Sequence, residues 1–430
     1  MKLQFQKDAI VNGINIVMKA VPSKTTMSIL ECILIDASSN EIRLTGNDME
    51  LGIETKVEGQ ILEHGKIALD AKLFSEITRR LSSQNSTITI ESDQKLNTTI
   101  RCENSVFNIQ GRDGEEFTYI PYIERDKYIT LSQFTLKEVI QQTIFSISPN
   151  DSNKMMGGEL FEVNENQLKV VSLDGHRISI RNVTLKDHYE PTKVIVPGKT
   201  LSEISKILGG DNEKEVRIFF SSNHILFEFD DTIVVSRLIE GEYFRINQML
   251  SSDYETKFSV NRREFLDCIE RATILIREND KKPLILQVND NTMELKLNSS
   301  FGSMNAELLI HKTGKDIMIG FNPKFLIDAL RAIEDEEINI YMMNPKSPCF
   351  KYTSACAPVK DISLVLLCLE RKTMETIKLR EDYIKLGQAL KAAGFVESGV
   401  DAKYAIEDGL VSVNGEIAYQ RGKKLVDGDV

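Results

Sequence analysis

The sequence predicts an α+β protein built from three similar two-half domains, followed by a small appendage. Two observations support this: a β-hairpin pattern that occurs three times, and landmark segments that return at a nearly constant offset. The offset is that of a whole domain, because solenoid repeats run at roughly 20–50 residues. We therefore expect domains at 1–125, 126–248 and 249–370, and an extension at 371–430.

The hairpin pattern is strongest at 170–180, where two alternating apolar runs flank Asp174-Gly175. An Asp-Gly pair tolerates positive φ, so this stretch predicts a tight hairpin. The same rhythm occurs at 42–53 and, more weakly, at 293–302. One structural unit therefore recurs three times along the chain.

The landmark segments support the same repeat. Residues 72–77 correspond to residues 199–204 and to residues 324–329, at offsets of 127 (199 − 72) and 125 (324 − 199). The segment Gly114-Glu115-Glu116-Phe117 returns as Gly241-Glu242-Tyr243-Phe244, again 127 residues on (241 − 114). Each half of a repeat opens with a strand and a helix that has apolar residues at helical spacing. These predicted strand–helix units are 3–18, 67–81, 131–147, 194–208, 258–276 and 317–333.

The composition is typical of a soluble globular protein, with 41% hydrophobic residues, 27% charged residues and a net charge of −11. No apolar run approaches the roughly 20 residues that span a bilayer, and the N-terminus lacks a signal-peptide core. We therefore expect a cytoplasmic protein with no membrane partner. The six cysteines form no Cys-x-x-Cys pair, so no metal site, disulfide framework or cofactor is predicted.

Asp174 and His176 invite a catalytic interpretation, because a histidine beside a carboxylate can act as a general base. No serine or cysteine nucleophile signature accompanies them, and no metal-ligand or paired-carboxylate motif lies near the other histidines. A structural role is the plainer alternative for a lone histidine. We predict no catalytic residues.

The Leu-Asp-Gly-His-Arg stretch at 173–177, the Gly-Glu-Tyr-Phe link at 241–244 and the threefold repeat together resemble the bacterial DNA polymerase III beta subunit family, the sliding clamps, over about residues 1–370. The resemblance implies a DNA-clamp architecture, in which two chains close a ring around duplex DNA. Helices would line the hole and antiparallel sheets would lie outside. It also implies a non-enzymatic processivity factor that tethers a replicative polymerase to DNA.

A head-to-tail homodimer would complete such a ring, because three repeats supply half of it. Edge strands at each end of the chain would otherwise stay exposed. We expect these edges near 106–109 in the first domain and in the second half of the third domain.

The charge pattern fits a DNA-facing helix lining. The six predicted helices, counted with Lys19 and Arg277 at their ends, carry fourteen basic and nine acidic residues, although the whole chain is acidic. A mild positive excess suits a ring that slides, because extensive phosphate neutralisation would make binding strongly salt-sensitive. A solvated amphipathic face would give the same pattern. The residues expected to face DNA are Arg79, Arg80, Lys137, Lys199, Lys206 and Arg271.

The resemblance further implies that the second hairpin forms one wall of a hydrophobic pocket between the second and third domains. Short linear peptides of the polymerase III alpha subunit and of clamp-loader subunits would insert there. Glycine permits close approach, while Met and Leu side chains accept apolar anchors from varied partners. The implied pocket residues are Met156, Leu173, Gly175, His176, Arg177, Ile178, Phe244 and Met249.

The C-terminal extension departs from that family. Residues 362–370 lack the proline that normally follows the final strand, and the chain continues to Val430. A gene fusion, a frameshift or a sequence error would each produce this. Helices over 386–394 and 400–407, and a strand that enters an Asn-Gly turn within 409–416, resemble an S4-type RNA-binding module.

An RNA-binding protein that acts through this tail is therefore the alternative function, and an appendage that binds nothing is the plainer interpretation of the tail itself. The basic face that the S4 resemblance implies comprises Lys391, Lys403, Arg421, Lys423 and Lys424.

Overall fold

The three predicted hairpins are all present in the computed structural model. They join Ile42–Asn47 to Leu51–Val57, Gly158–Leu173 to Arg177–Pro197, and Thr292–Ser299 to Gly302–Leu309. The structure describes residues 1–81, 86–148, 153–246, 254–277, 282–343, 353–354, 362–366, 383–392, 399, 402–403, 406, 411–413 and 416–426. The chain divides into two units, Met1–Leu367 and Cys368–Val430.

The first repeat alternates strands with two of the predicted helices. Its elements are β1 Lys2–Gln6, α1 Lys7–Val17, β2 Cys32–Asp36, β3 Ile42–Asn47, β4 Leu51–Val57, β5 Gln60–Glu63, β6 Lys66–Asp70, α2 Ala71–Arg80, β7 Thr87–Ser92, β8 Asn97–Cys102, β9 Ser105–Gln110 and β10 Arg112–Asp113. The carboxylate of Asp70 accepts a hydrogen bond from the backbone N–H of Leu73 at 2.8 Å, which fixes the start of α2.

The second repeat follows the same course, but its two hairpin strands are continuous where the first repeat has several shorter strands. Its elements are β11 Tyr128–Ser132, α3 Gln133–Thr143, β12 Gly158–Leu173, β13 Arg177–Pro197, α4 Gly198–Ile207, β14 Glu215–Phe220, β15 His224–Phe229 and β16 Thr232–Arg237. The turn between β12 and β13 is closed by Asp174, whose Oδ1 accepts hydrogen bonds from the backbone N–H groups of His176 and Arg177. Gly175 has φ +86°, a left-handed conformation that glycine adopts without steric cost.

The third repeat follows the pattern again. Its elements are β17 Thr256–Asn261, α5 Arg262–Thr273, β18 Leu284–Asn289, β19 Thr292–Ser299, β20 Gly302–Leu309, β21 His311–Gly314, β22 Ile317–Phe321, α6 Pro323–Arg331, β23 Glu337–Met342, β24 Thr353–Ser354 and β25 Ile362–Leu366. The side chains of Asn261 and Asn322 cap α5 and α6. Each repeat thus contains the two predicted helices, and these pack against each other as α1 with α2, α3 with α4, and α5 with α6.

One rule of strand pairing joins successive repeats. The second hairpin strand of the first repeat, β4, pairs antiparallel with the last strand of the second repeat, β16, from Leu51↔Ser236 to Thr55↔Thr232. The second hairpin strand of the second repeat, β13, pairs in the same way with the last strand of the third, β25, from Arg177↔Leu366 to Arg181↔Ile362. Strand β20 holds the place of β4 and β13 in the third repeat, and strand β9 holds the place of β16 in the first. Each of them lies at the edge of its sheet.

The second unit is small. Its elements are β26 Ile384–Lys385, α7 Leu386–Ala392, β27 Ser412–Val413, β28 Glu416–Ile417 and β29 Lys424–Leu425. A core of Leu386, Ile406, Val413 and Ala418 holds it together. The predicted helix at 386–394 is described as far as Ala392, and Ala402, Lys403 and Ile406 of the predicted helix at 400–407 are helical. The Asn-Gly turn at 414–415 lies outside the described residues, between the paired strands β27 and β28.

Candidate functional site

Part of the predicted pocket forms one apolar cluster on β12 and β13. Leu173 and Ile178 are buried in it, and Met156 and Phe244 pack against it while half-buried. The cluster lies on the sheet face opposite to Phe161 and its neighbours, which belong to the main core, because side chains alternate along a strand. These four predicted residues are therefore brought together, and Met249 lies outside the described residues.

Two of the remaining predicted pocket residues, His176 and Arg177, contact the third repeat, and Gly175 lies beside them. Gly175 is exposed and has open space where a Cβ would stand. The ring of His176 stacks on that of Phe325 in α6, with 5.8 Å between the ring centroids. His176 is exposed, and its backbone N–H donates a hydrogen bond to Oδ1 of Asp174.

Arg177 forms a bridge between the second and third repeats. Its side chain is only 8% exposed; Nε lies 3.0 Å from Oδ2 of Asp174 and Nη1 lies 2.7 Å from Oδ2 of Asp328 in α6. Its guanidinium also stacks 4.6 Å from the ring centroid of Phe325 and 5.4 Å from that of Phe145. A planar guanidinium suits such a site because it pairs with carboxylates and stacks on aromatic faces at once. Sequence reasoning missed this bridge, although the landmark alignment had already marked the α6 segment.

An equivalent contact joins the first and second repeats. The turn between β3 and β4 places Asp48, which is buried to 7% exposure, in an ion pair with Lys199 of α4. Lys199 occupies the second position of α4, one residue before the position that corresponds to Phe325 in α6. At both junctions, then, the hairpin turn of one repeat contacts the second helix of the next.

The predicted DNA-facing residues differ in their surroundings. Arg79, Arg80, Lys199, Lys206 and Arg271 are exposed, whereas Lys137 is half-buried. The ammonium group of Lys137 donates a 3.0 Å hydrogen bond to the carbonyl of Leu208, at the C-terminus of α4. That interaction complements the helix dipole.

Three of the exposed cations also have partners within the chain. Arg79 donates to Oδ1 of Asn15 in α1 at 2.6 Å, and Lys206 pairs with Glu203 at 2.8 Å. Lys199 pairs with Asp48. The exposed contacts of Arg79 and Lys206 hold those side chains only weakly, so these two charges stay accessible.

A buried carboxyl lies beneath the apolar cluster. Glu159 in β12 is fully buried, and Oε2 accepts a 2.9 Å hydrogen bond from the hydroxyl of Thr143, whereas Oε1 has no hydrogen-bond partner among the described residues. Burial raises the pKa of Glu159 to about 8. Tyr243 lies close by, and burial followed by the charge of Glu159 raises its pKa as well.

The predicted tail cations lie on the second unit. Lys391, Lys403, Arg421 and Lys424 are exposed, and Lys423 is half-buried. Lys424 lies 3.9 Å from the ring centroid of Tyr383, and Arg421 packs against Gly387.

Across the described part of the chain, no group of three or more His, Cys, Asp or Glu side chains could hold a metal ion. Nor does any described helix have the length and apolar character needed to cross a membrane.

Comparison with known proteins decides the family. Models of the DNA polymerase III beta subunit match residues 1–121 (N-terminal domain), 130–244 (central domain) and 247–364 (C-terminal domain). The beta sliding clamp of Staphylococcus aureus is 33% identical over 358 residues, which cover 81% of this chain and 94% of that protein. The chain belongs to the sliding-clamp family.

Solved clamps share its fold. A crystal structure described as a DNA polymerase III beta subunit from Eubacterium rectale is 60% identical, with a TM-score of 0.82, and the match covers 87% of this chain and 100% of that one. The DNA polymerase sliding clamp from Bacillus subtilis is 31% identical, with a TM-score of 0.82, over 86% of this chain and 99% of that one. The predicted clamp fold and sliding-clamp function are confirmed. An S4 domain also matches residues 377–430, as the sequence predicted.

Proposed function

We propose that two copies of this chain close into a ring around duplex DNA and tether a replicative polymerase in the cytoplasm. The protein would act as a processivity factor and carry out no catalysis itself. The observation that supports the ring most directly is the pair of unmatched edges, β9 and β20. Both edge strands would gain backbone hydrogen bonds if the strand pairing that joins successive repeats within the chain also joined two chains.

The rule gives the register of the joint between the two chains. Counted from the centre of the hairpin turn, Gly302 in β20 holds the position that Leu51 holds in β4. Counted in the same way from the turn that precedes each strand, Ile109 in β9 holds the position that Ser236 holds in β16. Gly302 would then lie opposite Ile109 of the partner copy, and Ala306 opposite Ser105. Phe107, which is 39% exposed, would lie opposite Met304. Directly opposed side chains are the units that stabilise a sheet.

The turn-to-helix contact would recur at the same joint. Phe301 in the third hairpin turn corresponds to His176, and Leu73 in α2 corresponds to Phe325. Phe301 is 53% exposed and Leu73 is 45% exposed, although each is a large apolar side chain. Packing Phe301 of one copy on Leu73 of the other would cover both. The edge on β20 lies in the first half of the third repeat, whereas the sequence had suggested its second half.

DNA would pass along the helices. Arg79, Arg80, Lys206 and Arg271 are exposed there and would face phosphates without reading bases. Lys137 and Lys199 would contribute less to DNA binding, because their ammonium groups already contact the carbonyl of Leu208 and the carboxylate of Asp48, respectively.

Topology provides the test of encirclement. Protein loaded on a nicked circular plasmid by a clamp loader should co-elute with the plasmid in gel filtration at 300 mM NaCl. Cutting the plasmid once with a restriction enzyme should release the protein, because a ring slides off a free end. Retention on the linear form at that salt would point to ordinary surface binding and would contradict the proposal.

The pocket would receive the apolar anchor of a partner peptide at the exposed edge of the cluster, where Met156 and Phe244 remain half-buried. Methionine adapts to differently shaped anchors. Leu173 and Ile178 would form the buried floor, and Gly175, His176 and Arg177 would form the wall next to the third repeat. The polymerase alpha subunit and clamp-loader subunits are the proposed sources of such peptides.

The tail supports a second, additional role. The S4 match and the cations Lys391, Lys403, Arg421, Lys423 and Lys424 favour RNA binding by the second unit. Ending the chain at 370 should abolish retention of a labelled RNA hairpin and leave plasmid loading intact. Loss of loading together with RNA binding would instead make the tail part of the clamp function.

A further inference from the structure

A groove with a basic rim continues from the apolar cluster along the outer face of β12 and β13. Its volume is about 310 Å³. Leu160 and Phe244 line its floor, and both belong to the cluster that holds Leu173 and Ile178. Lys169, Lys193 and Arg245 line its rim together with Glu162. We call this feature the outer groove.

The outer groove is continuous with a second depression of about 510 Å³. The two share Glu162, Lys169 and Lys193, and the second continues along β12 towards Asn164 and Gln167. An extended peptide whose apolar anchor sits in the cluster would therefore find further groove along the same strand. At about 3.3 Å per residue, a few peptide residues would span it.

The charge of the groove is opposite to that of the chain. Three cations surround it against one carboxylate, whereas the whole protein carries a net charge of −11. Glu162 offsets part of this charge, since its Oε1 lies 3.9 Å from the ammonium group of Lys193. The side chain of Lys193 remains 54% exposed and Arg245 is exposed. A ligand with negative charge beside an apolar anchor complements both parts of the surface.

We propose that the outer groove binds an acidic flank of the same partner peptides whose apolar anchor enters the pocket. The preferred ligands are thus short peptides with large apolar residues followed or preceded by Asp or Glu. This inference rests on the proposed peptide pocket and adds the charge preference of its ligands. A single-stranded nucleic acid fits less well, because the floor is aliphatic and phenyl in character and the cations are few.

The test uses three fluorescent peptides with one Leu-Leu anchor and with Asp-Asp, Ser-Ser or Lys-Lys beside it, titrated into the full chain by anisotropy at 50 mM and 300 mM NaCl. The Asp-Asp peptide should bind on the order of fivefold more tightly than the Ser-Ser peptide at low salt, since exposed charge pairs contribute modestly. The Lys-Lys peptide should bind more weakly than both. The differences should shrink at high salt because the charges are screened.

Variants assign the effect to the groove. Lys193→Gln with Arg245→Gln should remove the preference for Asp-Asp and leave the affinity for Ser-Ser within twofold. Lys186→Gln is the matched control, since Lys186 is an exposed β13 lysine with a side chain 80% exposed, outside the groove. It should keep the full preference.

The outcomes separate the two proposals. Equal affinity for the three peptides, or a preference that survives in the double variant, would overturn the outer groove alone. Failure of every Leu-Leu peptide to bind would overturn the pocket as well. Displacement of the Asp-Asp peptide by a ten-nucleotide DNA strand at lower concentration than by the unlabelled peptide would assign the groove to nucleic acid instead. The wild-type salt dependence provides an answer even if the double variant does not fold.

Discussion

Glu159 shows how one buried carboxyl makes stability depend on pH. Its pKa is raised from 4.5 to about 8 by burial, and its Thr143 partner offsets only part of that cost. In the unfolded chain the group ionises above about 4.5, while in the folded chain it stays protonated up to about pH 8. The folded state therefore holds the extra proton, and the free energy of unfolding must fall as pH rises across that window.

We expect Glu159→Gln to flatten this dependence. An amide keeps the shape and cannot ionise, so the free energy of unfolding should change less between pH 5 and pH 8 than in the wild type. Each pKa unit is worth about 1.4 kcal/mol, and the difference should reach several kcal/mol at pH 8. Urea unfolding at each pH measures it. Glu162→Gln, on the same strand but on the opposite, half-exposed face, should behave like the wild type; identical slopes for all three proteins would refute the assignment.

Arg177 supports a second prediction at this scale. Replacing it with methionine retains the length of the side chain but leaves Asp174, which is 7% exposed, without its cation. Breaking a buried pair of this kind costs about 3 kcal/mol. Arg217→Met is the control, because Arg217 pairs with Glu228 while 56% exposed and should cost less than about 1 kcal/mol. Similar urea midpoints for the two variants would show that the bridge does not hold the second and third repeats together.

The surroundings of single side chains were what the sequence predicted least well. The motif indicated Arg177 as pocket wall, but its burial depends on Phe145 and Asp328, which lie far from it along the chain. Ile178 was expected to receive a ligand directly, yet it is 2% exposed and lies within the apolar cluster. No pattern local to 170–180 reports either long-range contact.

Secondary-structure elements were predictable to a greater extent. The six helices and three hairpins follow from apolar periodicity and from turn residues such as Asp174-Gly175, which are local signals. The pairing of β4 with β16 and of β13 with β25 joins segments more than 150 residues apart, and alternating apolar patterns are compatible with many partners. The repeat itself, rather than any single strand, is what makes the third joint predictable.

That joint can be tested by cross-linking. Residues directly opposite in an antiparallel ladder have Cα atoms about 5 Å apart, within disulfide range, whereas a shift of two positions exceeds it. Met304→Cys with Phe107→Cys should therefore give a covalent dimer on a non-reducing gel. Met304→Cys with Ile109→Cys keeps the same face but moves the partner by two positions, and it should give little cross-link. Equal yields from both pairs would mean that the register, or the joint itself, is wrong.

For the whole molecule, the distribution of charge matters more than its sum. An acidic protein is repelled by DNA unless its cations are gathered where the DNA lies, and a lining that is too basic would bind phosphates too firmly to slide. The bounds of α1 to α6 enclose twelve Lys and Arg residues against eight Asp and Glu residues. Because the whole chain has a net charge of −11, the residues outside these helices are correspondingly more acidic.

The final prediction separates the position of positive charge from its amount. Arg79, Arg80, Lys206 and Arg271 changed together to alanine should lower the affinity for primed DNA at low salt and reduce the slope of log affinity against log salt by roughly one for each phosphate that the protein no longer neutralises. The control removes four charges away from the helices, at Lys127, Lys186, Lys214 and Lys315, each more than half exposed. Both variants have the same net charge, and both should unfold near the wild-type temperature because exposed charges add little stability. Equal reductions in affinity for the two variants would show that DNA binding depends only on the net charge of the protein. The proposal that the helices face DNA would then be contradicted.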